Sequence, residues 1–160
     1  MLNRQFLFIA TAIATLAGCA ASSQPVSVAD TIAARPQLST LSGLLAKTGL
    51  TDSLKATGPF TVFAPDNEAF AKVSTKAMND LASDPAKLKA VLTYHVVPAK
   101  VMAADVKNGN SKTVNGANVA LSRAGDFVTV EDAMVQTPDL AASNGVVHIV
   151  DTVLMPPQSR

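Results

Sequence analysis

Gly58-Pro59-Phe60-Thr61-Val62-Phe63-Ala64-Pro65-Asp66-Asn67-Glu68-Ala69-Phe70 holds a strand, a turn and the start of a helix in one short segment. Gly58-Pro59 breaks the helical run before it, since proline lacks the N–H and clashes with the preceding turn. Phe60 to Ala64 is aromatic and β-branched, with apolar residues on both faces. That texture predicts a strand buried on both sides rather than one with a wet face. Pro65 closes the strand. Asp66 carries the short carboxylate that satisfies free N–H groups in a first helical turn, so it is expected to cap a helix with Ala69, Phe70 and Val73 on one side.

Upstream of this segment the pattern is helical. Val28 and Ile32 are four residues apart, and Leu38, Leu41, Leu44 and Leu45 repeat at helical spacing. Gly49 stands where a helix C-terminus favours positive φ, and a short helical turn is expected from Thr51 to Lys55. Downstream, Asp84-Pro85 is a cap followed by proline at the first helical position. The helix it opens places Leu88, Val91, Leu92 and His95 on one buried stripe.

After Pro98 the texture changes to strand and turn. Asn108-Gly109, Asn115-Gly116 and Asn144-Gly145 are dipeptides of the kind that hairpins prefer. Between them lie short apolar runs, Val119 and Leu121, Val128 and Val130, then Met134 and Val135. Val146-Val147-His148-Ile149-Val150 is a last buried strand, closed by Asp151. Helices gather early and strands late, so the fold class is α+β with a largely antiparallel sheet and helices packed around it.

The N-terminus reads as an address. Arg4 precedes an apolar and small run from Phe6 to Ala17, too short for the roughly 20 residues of a bilayer span. Leu16-Ala17-Gly18-Cys19 looks like a bacterial lipobox, which makes residues 1–18 a lipoprotein signal peptide and Cys19 the lipidated N-terminus. Residues 19–25 are then a flexible tether and residues 26–157 one domain. Ala20, rather than Asp, after the cysteine points to the outer membrane in a Gram-negative cell. Cys19 is the single cysteine, so a lipidated chain forms no disulfide and is held by its core alone.

Of 13 Lys plus Arg, loss of Arg4 leaves 12 against 12 Asp plus Glu, and the lysines are scattered. Nucleic acid is an unsuitable partner, because phosphate binding needs clustered positive charge. No nucleophile elbow, metal-ligand spacing or phosphate loop occurs, so no catalytic residue, metal or cofactor is expected. The two histidines, His95 and His148, lie on apolar faces. Each is expected to pack inside, with its ring hydrogen-bonded to backbone or a neighbour.

Gly58 to Phe70, Tyr94-His95-Val96-Val97, and Asn144-Gly145-Val146-Val147-His148-Ile149-Val150-Asp151 together resemble the fasciclin, or FAS1, family in order and spacing. The resemblance covers about residues 26–157. It implies a β-sandwich-like wedge of strands with helices around it, and motif roles for Asp66, His95, Asn144, Gly145, His148 and Asp151. It also implies a non-enzymatic adhesion or binding module outside the cytoplasm, contacting envelope or matrix protein or polysaccharide. In animal members the segment before the last motif and the Tyr-His segment are treated as attachment determinants. The corresponding candidates here are Asp139, Leu140 and Tyr94.

Thr137 and Ala141 depart from the animal pattern, which speaks against integrin-type recognition. Pro-Asp is also ordinary turn chemistry, and Tyr94 beside the buried stripe equally suits packing. Two other functions stay open: a carrier of an apolar small molecule such as a carotenoid, and a purely structural envelope lipoprotein.

Overall fold

The computed structural model describes residues 26–157. The first helices are α1 (Val28–Ala33), α2 (Ser39–Thr48) and α3 (Leu50–Lys55), followed by strand β1 (Phe60–Pro65). Three more helices come next, α4 (Asn67–Lys72), α5 (Thr75–Ser83) and α6 (Pro85–Tyr94). The rest is sheet: β2 (Val96–Val97), β3 (Gly109–Lys112), β4 (Asn118–Ala124), β5 (Phe127–Val130), β6 (Ala133–Ala142) and β7 (Gly145–Val150).

The expected caps form. Asp66 accepts the Ala69 N–H at 2.7 Å, Asp84 accepts those of Ala86 and Lys87, and Gly49 closes α2 at φ 69°. Helix α5 is not anticipated by periodicity. Leu81 is buried and Met78, three residues before it, packs half-buried on the helical core, a stripe of one short turn, and Ser74 caps the helix through the Ala77 N–H.

The seven strands are ordered β2-β1-β7-β6-β5-β4-β3. All pairings are antiparallel except β1 with β7, which run parallel from Phe60 opposite Gly145 to Pro65 opposite Val150. A parallel pair needs a long crossover, and here everything from α4 to β6 supplies it. Beyond β3 the Val114 N–H donates to the Val96 carbonyl of β2 at 2.8 Å, which brings the sheet edges together and nearly closes a barrel.

Strands β1 and β7 are buried on both faces, as their apolar runs predict. Val62, Ala64, Val147 and Ile149 face a core shared with the helices, including Ile32, Leu41 and Leu92. Phe63 and Val150 face a second core inside the curl of the sheet, with Val119, Leu121, Val128 and Val130. Full burial of a side chain like Phe63 stabilises by about 3 kcal/mol.

Two of the three Asn-Gly pairs do a different job from the one their sequence suggests. Gly109 begins β3, and Asn108 accepts the Arg123 N–H at 2.7 Å across to β4. Gly145 is the first residue of β7, and the two-residue loop of the β6–β7 hairpin is Ser143-Asn144. Asn115-Gly116 does lie in a turn, between β3 and β4, with Gly116 at φ 93°.

Candidate functional site

The most irregular element of the sheet is β6. Its pairing with β7 shifts register between Val135 and Thr137 and again between Thr137 and Leu140. Such bulges re-aim side chains and leave backbone groups to be satisfied elsewhere. Within this stretch Asp139 adopts φ 57°, a left-handed conformation that aspartate tolerates better than most residues.

The Asp139 N–H, freed by the bulge, finds a side-chain partner. The Asp139 N–H donates to His148 Nδ1 at 3.1 Å, and Asp139 Oδ1 accepts the Ala103 N–H at 2.7 Å. On the far side of the ring His148 Nε2 lies 2.7 Å from the Val101 carbonyl. A backbone N–H can only donate and a carbonyl can only accept, so the ring is neutral with its proton on Nε2. It also stacks on Phe63, centroids 5.6 Å apart. Burial pushes the His148 pKa down, against the opposing pull of the Val101 carbonyl and the Asp139 charge. Pro138-Asp139 is therefore not a connecting turn, as its sequence suggests, but a partly exposed bulge within β6, mounted on a buried histidine.

The other candidate residues separate into surface and scaffold. Leu140 is half-buried and packs against the helical core. Tyr94 lies in the core rather than on the surface, 2% exposed, so of the two readings of this residue the structure takes packing. Its hydroxyl sits 3.0 Å from the Asn118 carbonyl and 3.2 Å from Glu131 Oε1, and burial with the Glu131 charge pushes its pKa up to about 12.

His95 is equally internal. Leu154 N–H donates to its Nε2 at 3.0 Å, so its Nδ1–H donates to the Val91 carbonyl at 2.8 Å, and burial drives its pKa down to about 4.

Asn144 joins distant parts of the chain. Its Oδ1 accepts the Val28 N–H at 2.8 Å while Nδ2 donates to the carbonyls of Leu54 and Ala56. Asp151 accepts the Met134 N–H at 2.9 Å and pairs with Lys72 at 3.5 Å. Cys19 lies outside the described residues.

The residues that sequence reading misses are Val101 and Ala103, which act through backbone atoms and so leave no signal in side-chain type. Glu131 is missed as well, and only its φ of 54° marks it as unusual.

Two clefts bear on the functional readings. One, of about 230 Å³, is almost wholly apolar and is formed by Leu45, Leu50, Leu54, Phe60, Val96 and Val114, with Ser53 and Thr93. The other, of about 410 Å³, is polar and open between the first turn of α4 and Gln136-Thr137 of β6. Among the described residues no group of three His, Cys, Asp or Glu side chains could hold a metal, and no helix is long and apolar enough to cross a membrane.

Comparison with known proteins places this arrangement. A family model of the fasciclin domain matches residues 36–156. The Synechocystis protein sll1483 is 37% identical over 140 residues, covering 86% of this chain and 78% of that protein. The cell surface glycolipoprotein MPB83 of Mycobacterium bovis is 34% identical over 135 residues, covering 81% of this chain and 60% of that protein. The solved FAS1 domain pair of the insect cell adhesion molecule fasciclin I superposes with a TM-score of 0.63 at 18% identity, covering 84% of this chain, which spans about half (51%) of that one.

Proposed function

The chain belongs to the fasciclin domain family, and on that premise we propose that it is a non-enzymatic, lipid-anchored module making adhesive contacts outside the cytoplasm with envelope or matrix protein or polysaccharide. The observation that carries this reading is the β6 bulge. Pro138 is exposed and Asp139 partly so, yet Asp139 is held by hydrogen bonds to a buried ring and to the Ala103 N–H. A contact surface ordered before binding loses less entropy on binding than a mobile one. Many copies on one membrane then convert weak single contacts into firm attachment.

Anchoring through Cys19 follows the lipobox and agrees with the glycolipoprotein relative. In a Gram-negative host Ala20 directs the protein to the outer membrane. Two acyl chains suffice for stable anchoring, at about 0.8 kcal/mol per buried CH₂.

The test is retention of host cells and of extracted matrix polysaccharide on the immobilised chain, beside an Asp139→Ala, Leu140→Ala double variant. Thermal denaturation of the variant separates loss of contact from loss of fold. Retention lost by a folded variant supports the loop as the contact surface. No retention by the unaltered chain overturns the adhesion reading and leaves the structural one.

The apolar cleft beside α3 favours a second reading, carriage of an apolar small molecule. Its volume of about 230 Å³ is below the roughly 300–1,000 Å³ of sites that enclose a drug-sized ligand, so it would hold one end of a long polyene. An absorption spectrum of the purified protein tests this: a visible chromophore supports the carrier, and a colourless protein leaves adhesion ahead.

A further inference from the structure

The ring of His148 holds the candidate contact loop only while it is neutral. Its Nε2–H is committed to the Val101 carbonyl, so Nδ1 must be the acceptor for the Asp139 N–H 3.1 Å away. An imidazolium has no acceptor nitrogen. On protonation two N–H groups would face each other across that distance, and the contact would turn repulsive. The carboxylate oxygen Asp139 Oδ1 lies 4.0 Å from Nδ1 and accepts the Ala103 N–H.

We propose that His148 and Asp139 form an acid-sensitive latch, in which protonation of the ring expels the Asp139 N–H, draws the Asp139 carboxylate off Ala103 and onto the ring, and re-forms the bulge at Pro138-Asp139. The exchange gives up the neutral Asp139 N–H bond and the carboxylate's bond to the Ala103 N–H for a pair between imidazolium and carboxylate, in which both partners are charged. The surrounding structure permits it. The register shift between Thr137 and Leu140 leaves Pro138 and Asp139 outside the ladder, so they can change while Thr137 and Leu140 stay paired with β7. The Val101 contact survives, because Nε2 carries a proton in both states.

Among the described residues Asp139 of β6 is the charged group that faces the ring. Strand β1 presents the uncharged Phe63, and the segment before β3 presents the Val101 carbonyl. Burial holds the ring below the ordinary histidine range, so the latch is closed at neutral pH and opens in acid. Its regulatory meaning, acid-controlled contact, rests on the adhesion reading above. The latch itself does not.

The experiment is NMR on the full chain between about pH 8 and pH 4, following the ring protons of His148 and the hydrogen-exchange protection of the Asp139 and Ala103 amides. The expected result is at least a tenfold loss of protection at both amides, with the midpoint of His148 protonation and with the Ile149 amide still protected. Asp139→Asn keeps the amide donor and tolerates left-handed φ but removes the charge. It should lower the His148 midpoint, because the Asp139 charge favours the protonated ring.

Protection unchanged while His148 protonates overturns the proposal, as does global unfolding before protonation or an Asp139→Asn midpoint that does not move. Matrix retention measured across the same pH range separates the two readings. Retention absent at every pH refutes adhesion while the exchange data stand for the latch. Retention present but insensitive to the His148 transition refutes the regulatory role.

Discussion

A side-chain carbon added to Gly145 would lie 1.9 Å from the carbonyl oxygen of Phe60 and 2.8 Å from its carbonyl carbon. The first residues of the parallel strands β1 and β7 are opposed here with no room for even a methyl group. Gly145 has no positive φ among the described backbone angles, so the requirement is for space, not for a special turn. Gly145→Ala must therefore push the two central strands apart. We expect a loss of about 3 kcal/mol or more in urea denaturation, at the upper end for overpacking. A loss below about 0.5 kcal/mol, the ordinary scatter of surface changes, would show that the strand ends yield freely.

Asn144 donates to two carbonyls and accepts one N–H, tying the hairpin to α1 and to the end of α3. Asn144→Ala leaves all three backbone groups without that partner, at an expected cost of about 2–4 kcal/mol. Hydrogen exchange locates the damage. The Val28 amide should lose protection before the Val130 amide does, since Val130 belongs to the core on the other face of the sheet.

His95 makes stability depend on pH. Its pKa falls from 6.5 to about 4 because the ring is fully buried, so the unfolded chain binds this proton more readily than the folded one. The contribution of the neutral ring is therefore complete above about pH 6.5 and is lost as pH falls toward 4, on the order of 3 kcal/mol in all. His148 is shifted the same way and adds to the slope. Denaturation midpoints at several pH values check this. His95→Gln should be less stable at neutral pH and show a shallower decline in acid.

Cys19→Ala removes the acylation site implied by Leu16-Ala17-Gly18-Cys19. The variant should leave the membrane fraction and appear in the soluble envelope or culture fraction. Persistence in the membrane after a high-salt wash would refute lipid anchoring.

Sequence by itself determined what depends on near neighbours. Asp66 and Asp84 cap helices because a carboxylate two or three residues before free N–H groups reaches them without help from the rest of the fold. Gly49 ends α2 for a similarly local reason, and the doubly apolar runs of β1 and β7 announce their own burial. The same periodicity places His95 and His148 inside. Helix α5 was legible in the same way, through the Ser74 cap and the Met78–Leu81 spacing, but its apolar stripe is a single short turn.

Tertiary structure alone decided the pairs that are far apart in the chain. Nothing near Gly145 says that Phe60 will lie against it, and nothing near Asn144 names Val28, Leu54 and Ala56 as its partners. The latch is the same kind of fact. His148 finds Asp139 across a bulge and Val101 from another segment, through a backbone N–H and a carbonyl that every residue type possesses. Backbone groups carry no residue identity, so their long-range pairing is settled only when the strands are in register and the two cores have closed.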